Sequence, residues 1–478
     1  MNGLVSYGTY VPYWRLDRSS ITGVLGSGGG RGTRSVAGYD EDTTSMGVEA
    51  ARRSLGALPD DAARPGLLVF STTAPGYLDK TNATAVHAAL RLDDAVPAFD
   101  AIGAARSSIG AAWTAQAAGG MAVLSDVRTG RPGSADEASG GDAAAALDFG
   151  GSWDGRSPIA VPLASASVSA EFIDRWRVPG ESYSRQWEER FGEHAYVPTA
   201  QQAIERTFAS VDIGPGEVEH VVVTGLHARS VRAVAASLGV AAERFAEDRS
   251  AAVGNTGAAH WALMLCDALD RAEPGERILV VHLADGCDAW LLEATDELAA
   301  FAERRASTVD DQIAAGTGSV DYAAFLTWRG FLEREPPRRP EPDRPASPPS
   351  LRGTSWKYGF VGAKDDGGFV HLPPGRVAVG SGAIDEMEPV PMADRTARIA
   401  TFTVDRLAYS LAPPVVAAIV DFEDPDDPAG ATSGRMQIEL TDVDPDAVRI
   451  GDRVEMTFRR LYTVDGIHNY FWKARPAG

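Results

Sequence analysis

The sequence predicts a chain in two parts, an α/β domain of duplicated topology followed by a small all-β barrel. Three observations carry this. Over roughly the first 300 residues, short apolar runs alternate with Ala-rich amphipathic segments, the pattern of strands and helices in turn. Seven prolines between positions 336 and 349 then interrupt it. Beyond them the pattern becomes β-rich runs separated by turn residues. A length of 478 residues agrees, since single cores stop growing at about 250–300 residues.

Taken in order, GLLVFSTT (66–73) reads as a buried strand and KTNATAVHAALRL (80–92) as a helix. A strand runs into AFDAIG (98–103), and SSIGAAWTAQAAGG (107–120) is a small-residue helix stopped by glycines. MAVLSDVR (121–128) and GGDAAAALDFGG (140–151) are strands. The alternation resumes after 155 with TAQQAIERTFASV (199–211) as helix, EHVVVTGLH (219–227) as strand and SVRAVAASLG (230–239) as helix. GNTGAAHWALMLCDALDRA (254–272) is a further helix, and RILVVHLADGCDAWLLEAT (277–295) is two strands around a turn at Asp285-Gly286. Halves of about 1–155 and 156–300 thus repeat one topology. REPPRRPEPDRPASPPS (334–350) is expected to be semi-rigid and extended. It lies in a helical and Pro-rich connector, 301–350. From 351 to 478, five runs (398–410, 413–424, 434–443, 452–462 and 467–476) suit a closed barrel of OB type.

Composition narrows the function. With 66 acidic against 45 basic residues, a formal charge of −21, the chain lacks the basic footprint of a nucleic-acid binder. The same charge disfavours anionic membranes, and no apolar stretch approaches the ~20 residues of a membrane span. The N-terminus carries no basic-then-apolar leader, so a soluble cytoplasmic protein is expected. Two cysteines, Cys266 and Cys287, make neither a disulfide framework nor a structural zinc site, and each reads first as a small buried hydrophobe.

Three stretches carry a resemblance. FDAIGAARSSIGAA (99–112) opens a helix in the first half, GNTGAAH (254–260) opens one in the second after a strand ending in Leu226-His227, and HLADGCDA (282–289) forms a late glycine turn. In that order the chain resembles the thiolase superfamily, most closely the branch of hydroxymethylglutaryl-CoA synthases and type III β-ketoacyl synthases, over about 1–300. HLPPGRV, ATFTVDRLAYS, ELTDVDPD and FWKARP resemble the DUF35-type OB-fold module that accompanies many such proteins. The resemblance implies a duplicated five-layer fold, usually a homodimer. It also implies a cysteine nucleophile at a helix N-terminus, with a histidine and an asparagine lining an oxyanion hole for a thioester carbonyl.

Carried over by position, His227 matches the histidine and Asn255 the asparagine. Ala105 stands where the resemblance implies the cysteine, followed by Arg106, Ser107 and Ser108. Where the synthases use a glutamate, FSTTAPGYLDK supplies Thr72, Thr73 and then only Asp79. An acyl-cysteine mechanism is therefore not expected. A carbonyl held by His227 and Asn255 remains an electron sink able to stabilise an enolate or tetrahedral intermediate, by roughly 3–4 kcal/mol per donor. Candidate bases are Tyr77 and Asp79, in the first-half strand-to-helix loop, and His194 and Tyr196, in the loop-like segment WEERFGEHAYVP.

Each residue also has a plain structural use. His227 suits a hydrogen-bonded turn, and Asn255, Ser107 and Ser108 suit helix caps. Arg106 suits an ion pair with Asp100 or a substrate carboxylate, and His260 and His282 suit the core. Asp142 in GGDAAAA is expected to be structural, and the GSGGGRG run (27–33) is no dinucleotide loop. The module's usual zinc ribbon has no cysteine in 356–382, and His371 alone holds no zinc, so neither a metal nor a tightly bound cofactor is expected. The expected function is a cysteine-less enzyme forming or cleaving a C–C bond next to an acyl-CoA or acyl-carrier thioester, with coenzyme A as part of the substrate. The alternatives are direct acyl transfer to an external nucleophile with His227 as base, and a non-catalytic acyl-CoA-binding or structural partner of an active homologue.

Overall fold

The computed structural model describes residues 2–151, 153–187, 189–338, 340, 342–423 and 432–477. Part of the acidic DFEDPDD run and two positions of the Pro-rich stretch, 339 and 341, lie outside them. The chain divides into two compact units. One comprises Met1–Ala37, Met46–Thr84 and Asp93–Tyr322; the other comprises Gly38–Ser45, Ala85–Leu92 and Ala323–Gly478. Two short segments early in the chain thus belong to the second unit.

The first unit is built on nine strands: β1 (Gly3–Tyr10), β2 (Leu68–Thr72), β3 (Ala98–Ile102), β4 (Met121–Val127), β5 (Asp142–Gly150), β6 (Ala160–Ser169), β7 (His220–Gly225), β8 (Arg277–Leu283) and β9 (Gly286–Ala294). They form one sheet in the order β7-β8-β9-β6-β1-β5-β4-β2-β3. The register shows the duplication. In β2-β4-β5-β1 the first pair is parallel and the next two antiparallel, and β7-β8-β9-β6 repeats that sequence of directions. The repeats meet at Leu4↔Ala160. The first half adds β3, parallel to β2; the second keeps a single parallel bridge, Val221↔Phe245, in that place.

Helices layer the strands. In α1 (Thr43–Gly56), Gly47 packs on Val123 and Phe70, and the helix crosses β1 so closely that a Cβ on Gly8 would lie 2.2 Å from the Ala50 carbonyl oxygen. After α2 (Ala83–Ala89), α3 (Ser107–Ala118) lies on the opposite face of the first-half strands. α4 (Glu189–Ala209) and α5 (Ala228–Ser237) cover the outer face of the second half. α6 (His260–Leu269) touches strands of both halves, and every residue in it is buried, as a helix between two layers of strands requires. The order helix, strands, α3 with α6, strands, helix makes the five layers that the resemblance implies.

Three readings need correction. Residues 189–198 are not loop-like: α4 begins at Glu189 and runs through Pro198. Gly192, Tyr196, Ala200, Ala203, Ile204 and Thr207 are buried along one face at helical spacing, and that burial outweighs the missing amide of Pro198. The Pro-rich stretch does not stay extended to its end, because a helix starts at Ser347 with prolines in its first turn, where their lack of N–H costs nothing. The helix read from 254 begins at His260, after a 3-10 turn over Gly257–Ala259. Two central strands, β1 and β6, were not legible at all.

In the second unit β10 (Thr396–Asp405), β11 (Val415–Glu423), β12 (Thr432–Leu440), β13 (Arg453–Val464) and β14 (Ile467–Pro476) close a barrel in the order β10-β11-β12-β14-β13. β11 alternates buried and half-buried residues along its length, as a barrel wall does. Lys473 is buried against Asp40 (2.9 Å), the Tyr39 hydroxyl (3.0 Å) and Glu439. Arg459 pairs with Glu41 and Asp442. His371 pairs with Asp365 at 3.0 Å.

Candidate functional site

Strand ends of both halves converge on a cavity of about 120 Å³ in the first unit. Thr73 follows β2, Gly103–Ala105 leads into α3, Leu226 follows β7, and Leu283–Asp285 makes the β8–β9 turn. Tyr196 of α4 and the irregular segment Asp174–Arg177 complete the wall, with Arg128 and Ser184. The α3 N-terminus, with Ala105 just before it, brings the positive end of a helix dipole to this space.

The polar groups fall into committed and available ones. Asp126, buried at the end of β4, accepts from the Thr73 amide (3.2 Å) and hydroxyl (2.8 Å) and from the Ala258 amide (3.0 Å), so the Thr73 hydroxyl is held. Asp136 takes both Arg128 (3.2 Å) and Arg175 (2.7 and 2.9 Å); burial pushes its carboxyl up, but the two guanidiniums hold it below the usual range. Arg177 donates to the Thr73 carbonyl and has no carboxylate within 4.0 Å among the described residues. Burial lowers its pKa. The Tyr196 hydroxyl donates to Asp174 (3.2 Å), and burial pushes its pKa well up.

Of the residues singled out in the sequence, Ala105 and Tyr196 line the cavity. His227 and Asn255 do not line it: His227 follows the wall residue Leu226 in the chain, and Asn255 bonds to Gly225 just before that residue. His227, 7% exposed, caps α5: its Nδ1 accepts from the Ser230 amide (3.1 Å), and its ring lies 5.9 Å from that of Tyr196. Because Nδ1 is an acceptor there, the neutral ring carries its hydrogen on Nε2. Nε2 abuts Gly192 of α4, where a Cβ would come within 2.5 Å of it. Asn255 donates from Nδ2 to the Gly225 carbonyl (3.0 Å), two residues before His227, and its Oδ1 accepts from the Gly257 amide (3.0 Å).

The other candidates do other work. Tyr77 and Asp79 are outside the cavity wall; Tyr77 exchanges backbone bonds with the Asn82 side chain, under the Lys80 ammonium, and Asp79 is exposed. Exposed His194 on α4 is also away from the wall. Arg106 pairs with neither Asp100 nor the cavity. It forms a bidentate pair with Asp288 (3.0 and 3.2 Å) and donates to the Asp285 carbonyl (2.6 Å), while Asp100 binds the amides that start α2. Ser108 is buried, donating to the Ala105 carbonyl (2.7 Å) and accepting from Trp261 Nε1–H (2.8 Å); Ser107 is half-buried and off the wall. Asp142 is structural, accepting from the Ala37 and Arg128 amides. His260 and His282 are core residues, each lowered to about 4 by burial. Both cysteines are buried away from the cavity wall, and burial raises both thiols.

The residues missed are Thr73 as a wall residue, Asp174, Arg175, Arg177 and Asp285. The signal for most of them was the run Asp-Arg-Trp-Arg (174–177), whose mixed charge and aromatic character marks a site-like segment.

A duplicated α/β fold with paired central helices, and a cavity at the start of one of them, defines a thiolase-like protein. Residues 208–290 match the family described as 3-oxoacyl-[acyl-carrier-protein (ACP)] synthase III C terminal, and 389–459 match the ChsH2 C-terminal OB-fold domain. The hydroxymethylglutaryl-CoA synthase of Aeropyrum pernix is 30% identical over 346 residues, covering 69% of this chain and 94% of that protein. The synthase of Picrophilus torridus is 28% identical over 352 residues, covering 70% and 98%. Among solved structures, PksG, a HMG-CoA synthase from Bacillus subtilis, superposes with a TM-score of 0.57 at 17% identity, covering 69% of this chain and 89% of that one. The chain belongs to the hydroxymethylglutaryl-CoA synthase family, and it carries in addition a C-terminal OB-fold module of the ChsH2 type. No helix among the described residues is long and apolar enough to cross a membrane.

Proposed function

We propose that this protein, working as a homodimer, binds an acyl-CoA or acyl-carrier thioester in the cavity. There it forms or cleaves a C–C bond next to the thioester without an acyl-enzyme. The observation that carries the proposal is Ala105: the cavity meets the start of α3 at a side chain with no nucleophilic atom, and both cysteines are buried elsewhere. The reaction then needs an enolate, an acid–base group and donors for the thioester oxygen. His227 and Asn255 are the proposed donors. The Nε2–H tautomer enforced by Ser230, and the second Nδ2 hydrogen of Asn255, give both the required capacity. The half-buried Arg177 adds a cation with no carboxylate within 4.0 Å among the described residues, suited to the charge that develops on the substrate.

The contact of Gly192 with His227 Nε2 favours a second reading, a protein that binds acyl-CoA without turning it over. Incubation with a panel of acyl-CoAs, followed by intact protein mass and product analysis, separates the two. Turnover without a protein adduct is expected. A stable acyl adduct overturns the cysteine-less mechanism, binding without turnover supports the second reading, and failure to bind any acyl-CoA overturns both.

A further inference from the structure

The cavity wall holds few groups able to pass a proton. The Thr73 hydroxyl is committed to Asp126, the Tyr196 phenol donates to Asp174, and Arg128 and Arg175 share Asp136. Asp285 differs: its carboxylate makes no hydrogen bond or ion pair among the described residues, while its backbone is pinned. The Asp285 carbonyl accepts from the Ala170 amide (3.2 Å) and from Arg106 Nη1 (2.6 Å). Its φ of 46°, followed by Gly286 at 121°, sets it in the tight turn between β8 and β9. Such a turn tolerates aspartate but does not require a carboxylate, since glycine suits the same backbone. Asp285 is an exposed residue of the cavity wall beside the start of α3, and an uncommitted carboxylate on a rigid backbone is what a proton-transfer group needs.

We infer that Asp285 is the acid–base residue of this cavity, exchanging protons with the acyl group of the bound thioester. The inference rests on reading the cavity as a thioester site. In the cleavage direction the Asp285 carboxylate takes the proton of a β-hydroxyl. The electron pair of the breaking C–C bond passes to the α-carbon as the thioester enolate, and the carbonyl fragment departs. The enolate then takes the proton back from the Asp285 carboxyl, so the sequence balances without an oxidant or co-reactant. In the forming direction Asp285 removes the α-proton of an acyl thioester. The enolate's electron pair forms the C–C bond to the carbonyl carbon of the second substrate, and the resulting alkoxide takes the proton back from the Asp285 carboxyl. The charged groups facing it are Arg106, itself held by Asp288, and the carboxylates Asp174 and Glu171, with the Tyr196 phenol alongside. Burial, Asp174 and Glu171 favour its protonated form, and Arg106 opposes them.

The test uses acetyl-CoA in D2O with the full chain, reading deuterium at the acyl α-carbon by mass spectrometry and affinity by calorimetry. The wild type is expected to exchange, and Asp285→Asn to lose about 100-fold or more in exchange rate with acetyl-CoA affinity unchanged. Asp285→Gly, which suits the left-handed backbone, serves as a second variant if the first folds poorly. Glu171→Gln, at an exposed residue off the cavity wall, is expected to keep exchange but move its pH limb to lower pH, because it removes a neighbouring negative charge; a merely structural role for Asp285 would leave that limb in place. Exchange at the wild-type rate in Asp285→Asn, or an unmoved limb in Glu171→Gln, overturns the assignment while the thioester reading stands. Binding without exchange in the wild type also overturns it, whereas no binding of acetyl-CoA or of any other acyl-CoA of the panel overturns the thioester reading itself.

Discussion

Arg106 offers the sharpest test of how the two halves of the first unit are joined. It stands at the start of α3 in the first half, and its guanidinium grips Asp288 on β9 in the second, at 3.0 and 3.2 Å. The Asp288 side chain is 1% exposed, so it has no water to turn to; its other side-chain donor is the Ser167 hydroxyl at 2.6 Å. Arg106→Ala therefore strands a buried carboxylate, which costs about 3–5 kcal/mol. Even the lower figure is about a 100-fold change in the folding equilibrium. Asp288→Asn costs less, about 1–2 kcal/mol, because the remaining guanidinium keeps its bonds to the Asp285 carbonyl and to Ser167 and is 19% exposed to solvent. The double variant is expected to be more stable than Arg106→Ala alone, since the orphaned charge is gone. Urea unfolding followed by tryptophan fluorescence reads this, because Trp261 and Trp290 are buried in the same unit. An unchanged midpoint for Arg106→Ala, or a larger loss for Asp288→Asn than for Arg106→Ala, would refute the reasoning.

Three further outcomes are expected. Ser108→Ala removes the acceptor of the buried Trp261 indole N–H and is expected to destabilise by about 1–3 kcal/mol, against a few tenths for Ser107→Ala; neither abolishes turnover if serine is not the nucleophile, so an inactive Ser107→Ala would contradict the assignment. His260 and His282 protonate near 6.5 when unfolded but at about 4 when folded, so between those values the unfolded chain binds more protons. Their neutral burial is tolerated fully above about pH 6.5, and stability falls with acid by about 1.4 kcal/mol per pH unit per histidine until about pH 4. Asp148 and Asp267, both raised to about 7 by burial, act in the opposite sense as pH rises toward 7. The measurement is therefore the difference between the wild type and His282→Asn across pH 4–6.5, which should show a shallower acid loss in the variant. In the second unit, Lys473→Met leaves Asp40 and Glu439 without their buried cation and is expected to cost about 3–5 kcal/mol, read as a fall in the unfolding midpoint of that unit.

Much of the fold was legible because it rests on local pattern. Strands such as 121–127 and 277–283 contain four-residue apolar runs, MAVL and ILVV, and the barrel strands alternate between faces. β1 escaped notice because a central strand buried on both faces shows no alternation, and its run GLVSYGTY mixes small and polar residues. α4 was read too short because Pro198 is a local stop signal, while the reason to continue, a buried face from Gly192 to Thr207, exists only in the packed fold, chiefly against β6, β9 and α5.

The site divides the same way. Sequence alone determined that residue 105 is an alanine with no cysteine near it, and that His227 follows a strand and opens a helix. Only the tertiary structure decided that Tyr196, Arg177 and Asp285 share a cavity with Ala105 and that Tyr77, Asp79 and His194 do not. It also decided that Arg106 belongs to Asp288. These residues lie up to 182 positions apart, and periodicity speaks only of which face a side chain takes on its own element. Which faces meet is set by how the two halves stack, through burial summed over both, and no local stretch of chain encodes that sum.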